Sequence, residues 1–138
     1  GIGRARGTRL LPGVKDGLQK FVNRYRLGVI TEGAVETQKE QLDNHEITNF
    51  FEELIISGAT PWHKPSLNLY NYAIRMMKLE PENIVMVGDR LDWDIKPAKE
   101  VGMKTIYLNH HPDKSEDELI DQFADKVVFN FNELRSVL

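Results

Sequence analysis

Strand-like and helix-like patterns of apolar residues alternate along the chain from residue 14 onward. Short apolar runs predict strands, and apolar residues three or four positions apart predict amphipathic helices. The predicted strands lie at residues 27–31, 54–56, 84–87, 105–108 and 127–129. The predicted helices lie at residues 14–25, 35–42, 67–77, 95–101, 119–123 and 131–138. This alternation predicts an α/β fold with right-handed crossovers and a parallel sheet covered on both faces.

The apolar faces of the predicted helices indicate which residues form the core. Ser66 is expected to cap the third helix, Gly102 to end the fourth, and Ser115 with Glu118 to form a capping box for the fifth. The run Ile84–Val87 is expected to be a buried strand. The residues expected to face inward from the helices are Val14, Leu18, Phe21, Val22, Tyr25, Leu67, Tyr70, Ala73, Ile74, Met77, Ile95, Ala98, Val101, Leu119, Ile120 and Phe123.

Composition narrows the function classes. A chain of 138 residues, 41% hydrophobic and 28% charged, is typical of one globular domain. A net charge of -3, without a basic stripe, argues against a nucleic-acid partner. No apolar run approaches the roughly 20 residues that span a membrane. The absence of cysteine rules out disulfides and thiolate metal sites, and it fits a cytoplasmic location. Residues 1–7 look like a truncated start rather than a targeting peptide.

The strongest chemical signal follows the third predicted strand, where a glycine turn carries Asp89, Asp92 and Asp94. Ligands bind at the carboxyl ends of strands in open α/β sheets, so Asp89 and Asp94 are expected to converge at that edge. Mg²⁺ removes the repulsion between such carboxylates, and it usually accompanies phosphate. The alternative is an acidic helix N-terminus that the helix dipole stabilises.

Two further residues are candidates for binding a phosphoryl group. Thr31 ends the first strand, where its hydroxyl and the backbone N–H groups of the following turn, at Glu32 and Gly33, can hold a phosphoryl oxygen. Lys64 lies in a loop between His63 and Pro65 and is a compact cation suited to phosphate or to a carboxylate. A threonine in an ordinary turn and a solvated surface lysine are the alternatives.

The order of these motifs resembles the haloacid dehalogenase-like hydrolase superfamily. The pieces are Gly28–Gly33, His63-Lys64-Pro65, Val87–Ile95 and Ala98–Thr105, within a resemblance that spans residues 11–138. The resemblance implies a Rossmann-like three-layer sandwich with a mostly parallel sheet. It also implies a Mg²⁺-dependent phosphomonoester hydrolase that acts on a small phosphorylated metabolite.

By this resemblance, each candidate residue takes a specific role. Thr31 hydrogen-bonds the transferring phosphoryl group, with Glu32 and Gly33 in the same phosphate-binding turn. Lys64 stabilises the nucleophile and the phosphoryl charge. Asp89 coordinates Mg²⁺, and Asp94 completes or orients the acidic site.

The resemblance also points to a missing part. Family members carry the nucleophile and a general acid/base in an Asp-x-Asp segment after the first, central strand, and no such segment precedes Thr31. Without that carboxylate no aspartyl-phosphate forms, so we expect this chain alone to be inactive. We expect residues 1–13 to be a remnant of the cap region and residues 14–138 the C-terminal part of the core domain. The missing strand leaves two apolar edges, which an upstream segment or self-association would cover.

Several alternatives stay open at this point. The acidic edge could belong to a non-catalytic module that binds a metal or a partner. A 2-haloacid dehalogenase needs no metal, and the carboxylates around Asp89 argue against it. A receiver-like signalling domain lacks its phosphoacceptor here. The four histidines show no spacing for a zinc site, Trp62 and Trp93 are either pocket walls or packing residues, and Arg90 is expected to pair with Asp92.

Overall fold

The computed structural model describes residues 14–109 and 117–138. It divides into two compact units, the first ending at His63 and the second beginning at Lys64. Within the described residues, no helix has the length and apolar character needed to cross a membrane. The expected capping box and the remnant over residues 1–13 fall wholly or largely outside the described residues.

The first unit pairs two parallel strands with two helices. Its elements are α1 (Val14–Phe21), β1 (Gly28–Thr31), α2 (Val35–Asn44) and β2 (Glu53–Ile56). β1 and β2 pair in parallel, with Thr31 opposite Ile56. Both strands therefore end at the same edge, where Thr31 continues into the turn before α2 and Ile56 continues into a 3₁₀ turn over Ser57–Ala59.

The second unit has three parallel strands in the order β3-β4-β5. The pairing sets Gly88 opposite Tyr107 and Leu108 opposite Val128. A π-helical turn over Leu91–Ile95 joins β3 to α4. The elements are α3 (Leu67–Met77), β3 (Val85–Gly88), α4 (Lys96–Glu100), β4 (Lys104–Leu108), α5 (Asp117–Phe123), β5 (Lys126–Val128) and α6 (Leu134–Val137).

The order of elements matches the sequence-based prediction, and the α/β class with parallel strands is confirmed. Ser66 caps α3 by accepting a hydrogen bond from the Asn68 N–H, as predicted. The boundaries differ where backbone turns intervene. The helix expected at residues 95–101 is preceded by the π-helical turn, and the one expected at residues 131–138 begins as a 3₁₀ turn over Phe131–Glu133.

Several residues expected to be buried are exposed. α1 ends at Phe21, so Val22 and Tyr25 lie beyond it on the surface, and the Tyr25 ring packs edge-on against Phe21 at 6.1 Å. The third strand is not the buried run that was predicted: Val85 is 38% exposed. Among the described residues β3 pairs only with β4, which leaves it less covered than a central strand. Leu67 and Leu119, at or near helix starts, are also exposed.

Candidate active site

Lys64 and Asp94 form a buried ion pair in the second unit. The Lys64 Nζ lies 2.6 Å from the Asp94 Oδ1, and their side chains are only 4% and 1% exposed. Lys64 begins the unit and is joined to Pro65 by a cis peptide, while Asp94 belongs to the turn after β3. Two opposite charges taken out of water in this way require each other, because either alone pays a large desolvation cost.

The second oxygen of the Asp94 carboxylate contacts the backbone of the same turn. The Arg90 N–H donates to the Asp94 Oδ2 at 3.3 Å. Gly88, the last residue of β3, has to be glycine, because a methyl group there would collide with the Asp94 side chain and meet its Oδ2 at 2.7 Å. The glycine that precedes Asp89 therefore makes room for the carboxylate that contacts Lys64.

A tyrosine from α3 supports this π-helical turn. Pro97 has no N–H and cannot donate to the Trp93 carbonyl four residues earlier, as a helix would require. The hydroxyl of Tyr70, a fully buried residue, donates to that carbonyl instead. Tyr70 thus links α3, which follows Lys64, to the residue directly before Asp94.

The electrostatics of the pair favour its charged form. Burial raises the pKa of the Asp94 carboxyl, but nearby positive charge, that of Lys64 included, and the hydrogen bond from Lys64 lower it, and the net pKa lies below its ordinary value. Asp94 is therefore an anion at neutral pH, and it holds the Lys64 ammonium in one position.

The surface of the same turn carries Asp89, Arg90, Asp92 and Trp93. Asp89 is partly exposed at the end of β3. The Arg90 guanidinium lies 4.7 Å from the Trp93 ring centre, and its Nε is 3.7 Å from the Asp92 Oδ1, which confirms the predicted pair. Trp93 also lines a cleft of about 300 Å³ together with Pro65 and neighbouring residues.

In the first unit, Thr31 is held by a residue that the sequence analysis did not single out. The Thr31 hydroxyl donates to the Gln38 Oε1 at 2.5 Å, and the two residues are 4% and 5% exposed. Gln38 lies on α2, four residues before the buried Leu42, so it occupies the inner face of that helix. The sequence does carry a signal for Gln38, because its position four residues before Leu42 places it on the same face of the helix.

The turn after Thr31 is fixed from two sides. The Gly33 N–H donates to the Ser57 Oγ at 2.9 Å, and the Gly33 carbonyl accepts from the Gly58 N–H at 2.9 Å. Glu32 contacts the exposed ring of His63, with the Oε1 and the Nδ1 3.2 Å apart. The ends of β1 and β2 are therefore tied together by the turn itself.

The predicted site residues thus fall into two groups. Thr31, Glu32 and Gly33 belong to the first unit, and the second unit holds Lys64, Asp89 and Asp94. Lys64 and Asp94 are in direct contact. Across residues 14–109 and 117–138, no group of three or more histidine, cysteine or acidic side chains is arranged to hold a metal ion.

Sequence comparison identifies the family. The profile of the haloacid dehalogenase-like hydrolases matches residues 3–108, which is more than half of the chain. The chain belongs to this family. It is 37% identical over 113 residues to a glyceraldehyde 3-phosphate phosphatase of Methanocaldococcus jannaschii, which covers 82% of this chain and 49% of that protein. It is 34% identical over 131 residues to the same enzyme of Pyrococcus furiosus, which covers 94% of this chain and 55% of that protein.

A solved structure of the family supports the same fold. The crystal structure of a haloacid dehalogenase-like phosphatase from Thermococcus onnurineus matches with a TM-score of 0.83 and 28% identity. The match covers 94% of this chain and 58% of that structure. The chain spans about half the length of the curated relatives it matches.

Proposed function

We propose that this chain supplies the phosphate- and metal-binding elements of a Mg²⁺-dependent phosphomonoester hydrolase. The single observation that carries the proposal is the buried pair of Lys64 and Asp94, whose charged atoms are 2.6 Å apart within the second unit. A buried cation held by one carboxylate is an efficient stabiliser for the charge of a phosphoryl group, because it costs no reorganisation when the reaction occurs.

The two groups of site residues have complementary roles in this proposal. Thr31 donates its hydroxyl proton to a phosphoryl oxygen, and Glu32 and Gly33 provide the phosphate-binding turn. Lys64 balances negative charge on the phosphoryl group and on the nucleophile. Their convergence on one phosphoryl position is part of the proposal, and it is supported by the family membership of the chain.

The side chains at the end of β3 suit Mg²⁺. Asp89 offers a partly exposed carboxylate, and the Asp94 carboxylate lies in the same turn with Lys64 bound to it. Mg²⁺ is commonly bound by one or two carboxylates, with waters and substrate phosphate as its other ligands. When bound, the ion would polarise a phosphoryl oxygen and offset its charge. We propose Asp89 as the direct ligand and Asp94 as the residue that completes the acidic site and orients Lys64.

The proposed substrate is a small phosphorylated metabolite. The two relatives described above are named glyceraldehyde 3-phosphate phosphatases. Glyceraldehyde 3-phosphate is therefore the first compound to test. A cytoplasmic location is proposed with it, since a chain without cysteine fits a reducing compartment.

The nucleophile is proposed to come from sequence outside this chain. No apolar strand with an Asp-x-Asp segment precedes Thr31, and the chain spans about half the length of its relatives. We therefore propose that the 138 residues alone do not hydrolyse phosphate esters.

Calorimetric titration of the chain with MgCl₂ tests the metal site. We expect weak binding that Asp89→Asn removes and that Asp92→Asn, the matched exposed carboxylate in the same turn, leaves unchanged. Titration with inorganic phosphate in the presence of Mg²⁺ tests the other elements, and we expect Lys64→Met and Thr31→Val each to weaken phosphate binding. Mg²⁺ affinity that is equal in the wild type and in Asp89→Asn would refute the assignment of Asp89.

The coding sequence upstream of Gly1 tests the catalytic part. An apolar strand followed by Asp-x-Asp predicts that the longer protein hydrolyses glyceraldehyde 3-phosphate and p-nitrophenyl phosphate, and that Asp89→Asn abolishes this turnover. An upstream sequence without those aspartates favours a non-catalytic metal- or partner-binding module. Turnover by the 138-residue chain alone would contradict its proposed inactivity.

A further inference from the structure

The end of β1 contains a buried polar cluster that the proposed reaction does not yet explain. Thr31, Gln38 and Ser57 are buried residues that are 4%, 5% and 1% exposed. Ser57 accepts from the Gly33 N–H and thereby fixes the backbone of the turn. Gln38 contacts the Thr31 hydroxyl itself, so it acts on the group that is proposed to meet the phosphoryl oxygen.

The hydrogen-bonding capacity of Thr31 is the key constraint. A hydroxyl has one proton to donate, and in the structure that proton is directed to the Gln38 Oε1, 2.5 Å away. A phosphoryl oxygen can only accept a hydrogen bond. Thr31 can therefore bind it only if Gln38 releases the proton, and a buried hydroxyl and a buried amide both then need new partners.

A glutamine amide can meet both needs, because it carries an acceptor oxygen and a donor nitrogen at the same distance from its side-chain axis. Rotation about its last torsion, which is two-fold and broad, exchanges them with little change in shape. The space for this exchange lies at Gly33. A methyl group there would be 2.7 Å from the Gln38 Nε2, so the missing side chain gives the amide room.

We propose that Gln38 is a positioning residue that sets the direction of the Thr31 hydroxyl. Its amide oxygen accepts the Thr31 proton while the phosphoryl position is empty. When a phosphoryl oxygen takes that proton, the rotated amide donates an N–H to the Thr31 Oγ1 and keeps it in place. This inference rests on the proposed function, in which Thr31 contacts the phosphoryl group.

The decisive variant is Gln38→Glu, examined at mildly alkaline pH. An introduced carboxylate still accepts the Thr31 proton, but its charge is buried, so the melting temperature should fall. It has no N–H to donate, and it holds the Thr31 proton more firmly. We expect the affinity for inorganic phosphate, measured by calorimetry with Mg²⁺ present, to fall by about tenfold or more. A purely structural role for Gln38 predicts that Gln38→Glu, measured well below its melting temperature, binds inorganic phosphate as tightly as the wild type does.

Two further variants keep the test decisive if Gln38→Glu does not fold. Gln38→Met preserves the volume and removes both hydrogen-bonding functions, and it should weaken phosphate binding by about tenfold. In a Thr31→Val background the same substitution should have no further effect, because Gln38 acts through Thr31. Gln41→Met is the matched control: Gln41 is on the same helix, its Oε1 is buried without a hydrogen-bond partner among the described residues, and its loss should leave phosphate binding unchanged.

The outcomes separate the inference from the proposed function. Phosphate binding that Thr31→Val weakens and both Gln38 variants leave unchanged overturns the inference alone. An equal loss from Gln38→Met with and without Thr31 also overturns it, because Gln38 would then act by another route. If the wild-type chain does not bind inorganic phosphate, or binds it independently of Thr31, the proposed function fails and the inference fails with it.

Discussion

The Lys64 ammonium and the Asp94 carboxylate contact each other at 2.6 Å with almost no exposure to solvent. Removing one member of a buried ion pair takes away the nearest opposite charge of the other, which typically costs about 3–5 kcal/mol. We expect Lys64→Met and Asp94→Leu each to lower the free energy of unfolding by this amount. The double variant should lose much less than the sum of the two, as measured by urea denaturation.

Lys99 provides the control for this prediction. Its Nζ lies 2.5 Å from the Asp125 Oδ1, but both side chains are more than a third exposed. Lys99→Met should therefore cost less than about 1 kcal/mol. If Lys64→Met proves no more destabilising than Lys99→Met, the buried pair does not have the energetic role assigned to it here.

The hydroxyl group of Tyr70 should contribute to the stability of the fold. Tyr70→Phe keeps the ring in the core and removes the hydroxyl that donates to the Trp93 carbonyl. An unsatisfied buried carbonyl costs about 1–3 kcal/mol. Because this hydrogen bond is partly buried, we expect a loss near the lower end of that range by urea denaturation. Pro97→Ala restores an N–H four residues after Trp93. The two substitutions together should therefore cost less than the sum of the separate losses, and strict additivity would argue against this account.

Sequence periodicity predicted the elements well because the helices of this fold have one apolar face and its strands are short apolar runs. The order from α1 to α6 and the parallel pairing both followed from it. The burial of single residues did not follow, since that depends on what covers an element. Val85 belongs to a strand that reads as buried, yet it is exposed because, among the described residues, β3 pairs on one side only.

In the candidate site too, features set by the local sequence could be predicted, and contacts between residues on different elements could not. Asp89 and Asp94 could be selected from the sequence because carboxylates in a tight turn after a strand are conspicuous. Lys64 could be selected as a cation in the loop between His63 and Pro65. The bond between Thr31 and Gln38 was missed, because a glutamine on a polar helix reads as a surface residue. The role of Tyr70 could be predicted only in part. Pro97 in the sequence predicts that the Trp93 carbonyl lacks its helical donor, but only the structure shows that the Tyr70 hydroxyl donates to it.

Asp125 should make stability depend on pH. Burial raises the pKa of the Asp125 carboxyl. Hydrogen bonds from Lys99 and from the Thr105 N–H lower this pKa by more, so the net pKa lies below its ordinary value. A carboxyl with a lowered pKa in the folded state stabilises the fold above its unfolded pKa, about 4, and this contribution is lost as pH falls through the folded pKa. Asp125→Asn should therefore be less stable than the wild type at neutral pH.

That deficit should shrink as the solution is acidified below about pH 4, because the wild type then loses the same contribution. Urea denaturation of both proteins at neutral and acidic pH measures the difference directly. Asp121→Asn, which alters an exposed carboxyl on α5, is the matched control and should follow the wild type at every pH. A difference between Asp125→Asn and the wild type that does not change with pH would contradict the assigned direction of the shift.

Gly33 should be less tolerant of substitution than Gly102, although both have positive φ, 135° and 97°. Gly102→Ala should cost about 1–2 kcal/mol from backbone strain, because among the described residues its methyl group would meet Pro81 alone, at an ordinary 3.4 Å. Gly33→Ala carries similar strain, and its methyl group would also push the Gln38 amide, 2.7 Å away, off the Thr31 hydroxyl. The lost hydrogen bond should add about 1 kcal/mol.

Gln38→Ala removes the obstruction, so it should cost less in the Gly33→Ala background than in the wild type. Equal costs in the two backgrounds, measured by urea denaturation, would show that Gly33 and Gln38 are not coupled.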